Sequence, residues 1–270
     1  MTPAATAMRL AAKAFGIIAL LAMTSGAFAA ELSRAEVQSM LAKASAGHGA
    51  SFKGRSLAGL DLHDLDFSGA DLSGANLSDA DLRGAKLVGA KLVGADLQRA
   101  KLNLAWIIRA DFSHANLAGA DLETLIVSAG METHPDEAAN FAGADLSGAK
   151  VTARFSLDDM RGANLSHLQA SADMRNQSMG LIRADFSQAN LAGASFRAAA
   201  LEHVNFQFAK LQHADFSGAD LAGADLSGAD LSNANFAGAD LSDADLSGAN
   251  TAGTNFAGAK LDGAKGYARH

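Results

Sequence analysis

From Phe216 to Leu231 the chain reads FSGADLAGADLSGADL, with a bulky apolar residue at every fifth position, Ala two places before it and Gly often two places after. A helix repeats every 3.6 residues and a strand every 2, so neither regular element holds such residues on one face. As a helix, the run would scatter its leucines and place Gly in turn after turn, at roughly 1 kcal/mol each relative to Ala. As a flat strand, it would send Leu221 and Leu226 to opposite sides. A chain that bends once per five residues turns every large residue inward. The expected shape is a coil with corners.

The repeat fixes the architecture of most of the chain. Its large residues, the centres, run from Phe52 and Leu57 through Leu82, Leu102 and Phe112 to Val127. After an insertion come Phe141, Leu146 and Val151, then Phe155, Met160 and Leu165 one residue out of frame. The frame holds again from Leu181 and Phe186 through Phe216 to Leu261, with Thr251 as the polar exception.

At these residues, as in Ala70-Asp71-Leu72-Ser73-Gly74, the chain resembles the pentapeptide-repeat family and its A(D/N)LXX motif. The resemblance spans about residues 50 to 264. It implies an all-β fold, a right-handed quadrilateral β-helix with four pentapeptides per coil. The centre and the Ala at minus two then fill the interior, and the remaining positions face water.

The charges test a 20-residue coil. If coils stack about 4.8 Å apart, residues 20 positions apart become outward neighbours. Asp66 then meets Lys86, Asp71 meets Lys91, Lys91 meets Asp111, Asp81 meets Lys101 and Lys101 meets Asp121. Exposed pairs contribute only about 0 to 1 kcal/mol each, so they report register more than stability.

Counting centres by fours gives about ten coils and a rod about 45 to 50 Å long. One coil combines Met160, Leu165, a third corner at Ala170 or Met174, and Leu181. Corner insertions are expected near residues 128–140 and 166–180. Hydrophobic residues make up 49% of the chain, enough for a thin interior assembled only by stacking.

Residues 1–29 are of another kind. Arg9 and Lys13 precede an apolar run from Ala14 to Met23, and Ala27-Phe28-Ala29 fits the A-x-A pattern of a secretory signal cleaved after Ala29. This predicts export to a periplasm or beyond, with no stable membrane insertion after cleavage. The absence of cysteine permits export without arguing for it. Residues 30–50 read as a short capping helix and linker: Ser33 and Glu36 form a capping box, Leu32 and Val37 a staple, and Val37, Met40, Leu41 and Ala44 share a face. Such a helix would close the first coil, whose strand edge would otherwise invite aggregation. The repeat itself covers residues 51–264, and 265–270 form a tail.

Nothing in the sequence assembles a catalytic group. Of His48, His63, His114, His134, His167, His203, His213 and His270, only His114 and His134 are 20 residues apart, and His134 falls in the insertion, so no two share a face at that spacing. His134 lies near Glu132, Asp136 and Glu137, yet Pro135 and these carboxylates equally suit the first turn of a short helix. Serines such as Ser217 and Ser227 are repeat filler with no base beside them. The expectation is a non-enzyme with no cofactor and no metal.

Two surface features remain. Asp215, Asp220, Asp225, Asp230, Asp240, Asp243 and Asp245 fall in residues 211 to 250, which contain no Lys or Arg. Stacking Asp220 on Asp240 and Asp225 on Asp245 costs energy unless water, a cation or a basic partner screens the charges. Alternatively, each Asp serves the motif by bonding local backbone at its corner. The family resemblance adds a further possibility, because some members resemble duplex DNA, protect DNA gyrase in the cytoplasm and pair through their C-terminal ends. The secretory signal and the lysine ladders of the first half depart from that pattern.

The second feature is apolar. In KLNLAWIIRADF the outward positions include Leu104, Trp106 and Ile108, with Val88 and Ile126 one coil away on the same side. Contiguous apolar surface indicates a contact. Either the insertion SAGMETHPDEAAN folds over the patch with Met131, or a protein partner docks there. The sequence therefore points to an exported interaction or structural module, monomeric or paired through its C-terminal end, with an unknown protein partner and nucleic acid not expected. A cytoplasmic DNA-mimicking regulator and an acidic divalent-cation binder are the alternatives.

Overall fold

The computed structural model describes residues 30–44, 49–129, 134–171 and 183–267. Its organising unit is a bend of four residues. Around Leu72 the Ala75 amide donates back to the Leu72 carbonyl at 3.0 Å, closing a turn over Ser73 and Gly74. Gly74 has φ +63°, the left-handed conformation that this turn type demands at its third residue. The recurrent Gly of the repeat is thereby explained by geometry. Leu104 and Phe208 adopt the same conformation, at φ 62° and 56°, without that freedom.

Between bends the backbone pairs with the tiers above and below. Leu72 donates its amide to the Lys91 carbonyl at 2.7 Å, Gly74 to Val93 at 2.9 Å, and Asp71 to Ala50 at 2.9 Å. The resulting bridges are parallel and form four walls. One runs from Ser51 through Asp71 and Lys91 to Asn250, the next from Ser56 to Asn255 and the third from Asp61 to Lys260. The fourth links Asp66 to Ile126 and, beyond the insertion, Arg154 to Lys265. Among the described residues only Asp121–Leu122 and Lys150–Val151 pair over more than a single bridge; they are β1 and β2. All five charge pairs expected from the 20-residue spacing are bridge partners, from Asp66 with Lys86 to Lys101 with Asp121.

Centres and minus-two alanines fill the interior along its length. Leu82, Phe112, Phe216 and Leu241 are fully buried, as are Ala85, Ala144 and Ala224. Stacked phenylalanines form part of this core, with Phe196, Phe216 and Phe236 at 4.7 Å between successive ring centres. Interdigitated apolar side chains of this kind provide the main folding energy of a solenoid.

At the N-terminal end, α1 (Arg34–Lys43) lies across the first tier. Ser33 accepts from the Glu36 amide and Glu36 returns the bond, the reciprocal cap that starts a helix cleanly. Val37 is fully buried, with Leu32, Met40 and Leu41 packed beside it. Arg34 fastens the helix by donating to the carbonyls of Asp61 and His63 at 2.7 and 3.0 Å. At the opposite end Phe256, Leu261 and Tyr267 are only half-buried against the core.

Two adjustments keep the walls in line. Lys150 to Ala153 is a four-residue step, so Arg154 begins the next wall one residue early. In the following tier Gln169 and Ala170 supply the third wall, and the fourth is supplied by Asp185 and Phe186, since Asp185 bridges Arg154. This corrects the sequence assignment of Leu181 to that corner. Leu181 obeys the five-residue count, but the count is interrupted after Ala170, and Leu181 itself lies outside the described residues, as do the signal segment and Met131. No helix among the described residues is long and apolar enough to cross a membrane.

Candidate interaction surface

Trp106 occupies a wall position between Lys86 and Ile126, bridged to both. Trp106, Ile126 and Val88 are half-buried, and Leu104 at the preceding corner is 56% exposed. Ile108 departs from the expected outward patch, being only 6% exposed. It sits where the insertion rejoins the rod. The Arg109 amide donates to the Glu137 carbonyl at 2.9 Å, and the Glu137 carboxylate accepts from the Ser128 hydroxyl at 2.7 Å and the Ala129 amide at 3.2 Å. The two bonds to the carboxylate, with a third from the His134 amide at 3.4 Å, hold that carboxyl below its usual range, and together with the Arg109 bond they tie down the corner. The sequence patch is therefore not one uniform surface. Trp106, Ile126 and Val88 form a half-exposed strip, with Leu104 on its edge and Ile108 beneath the corner.

The acidic residues are organised by the turn. Asp215, Asp230 and Asp245 each accept the amide of the residue two places on, at 3.0, 3.1 and 2.9 Å, and Asp220, Asp225 and Asp240 do the same. Neighbouring tiers supply the second partner: Gln207 donates to Asp225 and Gln212 to Asp230, both at 2.6 Å. Asp220 does stack on Asp240 and Asp225 on Asp245, but Lys260 and Lys265 follow as the next residues in those columns. Lys260 contacts Asp240 at 2.9 Å and, with the Ser242 amide, holds its carboxyl down to about 2. Asp243 stands apart at a corner, with φ 58°. Among the described residues no group of three or more His, Asp or Glu side chains could hold a metal ion.

Three features were not singled out from the sequence. Phe208 is 64% exposed at a corner normally given to Gly. A polar groove of about 430 Å³ lies along the third wall, lined by Glu123, Lys150, Thr152, Gln169, Ser171 and Ala200, where the small Ala200 follows longer side chains. Asp158 takes a minus-two place in the interior, two residues before Met160, and is 1% exposed. The five-residue frame contained the signal for Asp158, because an acid there must point inward.

A family model for pentapeptide repeats matches in 8 copies, over residues 48–84, 66–103, 75–113, 181–218, 214–250 and 239–265. Among solved structures, the chain is similar to HetL, a pentapeptide repeat protein involved in heterocyst differentiation regulation from the cyanobacterium Nostoc sp. strain PCC 7120. The identity is 31% and the TM-score 0.69, over 87% of this chain and 97% of that one. QnrB1, a plasmid-mediated fluoroquinolone resistance protein, aligns at 21% identity with a TM-score of 0.41, over 79% of this chain and 84% of that one. No curated protein matches the sequence. With its four walls of parallel bridges, its inward centres and this family match, the chain is a right-handed quadrilateral β-helix and belongs to the pentapeptide-repeat family.

Proposed function

We propose that the chain is an exported, non-enzymatic rod of about ten coils that serves as a protein-interaction or structural module in the periplasm. The observation that carries this reading is the apolar strip on a polar rod: Trp106 and Ile126 on adjacent tiers of one wall, with Leu104 exposed beside them. Aromatic and aliphatic side chains on a rigid, flat wall suit the centre of a protein interface, where large apolar anchors dominate binding. Export rests on the basic, apolar and A-x-A order of residues 1–29. The half-buried Phe256, Leu261 and Tyr267 leave the C-terminal tier available for pairing between copies.

The test has two parts. Residues 1–50 fused to a reporter that is active only after export should give signal, and the mature protein should lack the first 29 residues. Trp106→Asp and Ile126→Asp should abolish recovery of a periplasmic partner while leaving the melting temperature within about 2 °C. An unprocessed, cytoplasmic protein would defeat the export reading. It would favour a second one, a DNA-mimicking regulator, for which the stacked Asp220–Asp240 and Asp225–Asp245 pairs speak.

A further inference from the structure

Regular tiers satisfy the minus-two amide locally, as when Ala144 donates to the Phe141 carbonyl three residues back at 3.0 Å. Ala139 has no such carbonyl, because the insertion delivers it from a turn in which the Glu137 amide donates to His134. Its amide instead donates across the stack to Oδ1 of Asp158, at 2.8 Å. The column above and below this acid carries Ala139 and Ala189 at the same interior place. Oδ2 of Asp158 is buried and has no hydrogen-bond partner.

We propose that Asp158 is a neutral carboxyl strut that replaces the turn hydrogen bond interrupted by the insertion, and that its ionisation loosens the rod at that tier. An acid is otherwise a poor choice for an apolar interior, since a buried carboxylate without a cation is far more costly than a buried carboxylic acid. Here its carbonyl oxygen meets an orphaned amide, which would itself cost about 1 to 3 kcal/mol if left unpaired. Burial pushes the carboxyl up to about 8, opposed only by the Ala139 amide. The charged and titratable groups on the surrounding segments make no contribution and have partners or exposure of their own. Glu137 is held by Ser128, His134 is exposed, Asp159 pairs with Arg161 at 2.6 Å, and Asp185 accepts from the Ser187 amide.

The direction follows from linkage. Because the folded acid binds its proton more tightly than the unfolded one, the contribution is most favourable below the ordinary carboxylate range. It declines as pH rises from about 4 to 8 and is level above that. The native acid itself ionises near the upper end of the window; the Ala139 amide then bonds a carboxylate, but burying that charge without a cation makes opening of the tier less costly.

The geometry also supplies a control. Deleting residues 130–138 joins Ala129 to Ala139, so that Ile126-Val127-Ser128-Ala129 leads directly into Ala139-Asn140-Phe141 in unbroken five-residue frame. Ala139 would then have the Val127 carbonyl three residues back.

The experiment follows hydrogen exchange of the Ala139 amide and urea unfolding between pH 5.5 and 9.5, in the full mature chain, in Asp158→Asn and Asp158→Ala, and in the 130–138 deletion with and without Asp158→Ala. Asp158→Asn keeps an acceptor but does not ionise. Wild type should lose at least about tenfold more protection at Ala139 than Asp158→Asn over this range. Asp158→Ala should destabilise the full chain and be neutral or stabilising in the deletion. Parallel pH profiles for wild type and Asp158→Asn would overturn the ionisation. Equal penalties for Asp158→Ala in both backgrounds would overturn the strut.

Discussion

The ring of Phe208 lies over Gly228, the corner residue of the next tier, so closely that a methyl group on Gly228 would overlap it. Gly228 also has φ +66°. Gly228→Ala should therefore destabilise in two ways, through left-handed strain of about 1 to 2 kcal/mol and through displacement of the ring. Phe208→Ala in the same chain should recover the second part, and urea unfolding of the double-mutant cycle measures it. Equal losses with and without Phe208 would show that the ring moves aside freely.

Inward and outward positions should differ sharply. Leu82→Asp puts a carboxylate at a fully buried centre, and a loss of more than about 4 kcal/mol or failure to fold is expected. Ser73→Asp, one residue past a centre, should change stability by less than about 0.5 kcal/mol. Thermal melts of the two variants decide the matter, and similar curves would contradict the wall assignment.

Acid should act on the C-terminal tiers through Asp240. Its carboxyl is held near 2 in the fold, chiefly by Lys260, so its contribution is present above the ordinary carboxylate range and fades as pH falls toward 2. Asp240→Asn should narrow the gap between melting temperatures at pH 5 and pH 2.5. An unchanged gap would mean that solvent screens the exposed pair completely.

Removing residues 130–138 should uncover Ile108 while the rod persists. Far-UV circular dichroism should be retained, self-association should rise by sedimentation velocity, and the emission of Trp106 should shift to the red if the insertion also shields the indole. Loss of the β signal on deletion would show that the insertion is required for stacking.

What was legible in the sequence is what repeats. Lys86 could be placed below Asp66, and Leu82 in the interior, because stacking converts a spacing of 20 into contact and a spacing of five into a common direction. Phe186 was misplaced for the same reason. Counting in fives selects Leu181, whereas the backbone follows whichever residues can continue the bridge to Arg154. Ile108 occupies an outward place in its own repeat, and its burial depends on a corner formed by Glu137 nearly 30 residues later. The acidic columns looked uncompensated because their lysines, Lys260 and Lys265, stand one tier beyond the segment counted.

Four walls of bridges also make the chain an angular scale. One pentapeptide is a quarter turn, so inserting five residues would rotate everything downstream by about 90°, while inserting 20 would translate it by one step of about 4.8 Å with no rotation. Insertions of whole pentapeptides that continue the coil would therefore be of two kinds, those that re-aim one half against the other and those that only lengthen it. Both irregular segments here belong to neither kind. Asn140 resumes the wall left at Asp111, and Asp185 the wall left at Arg154, so the extra residues leave the azimuth of each column untouched. The apolar strip at Trp106 and the aspartates beyond Asp215 thus keep a fixed bearing on one another, and a partner spanning both would sense a five-residue slip as a change of face.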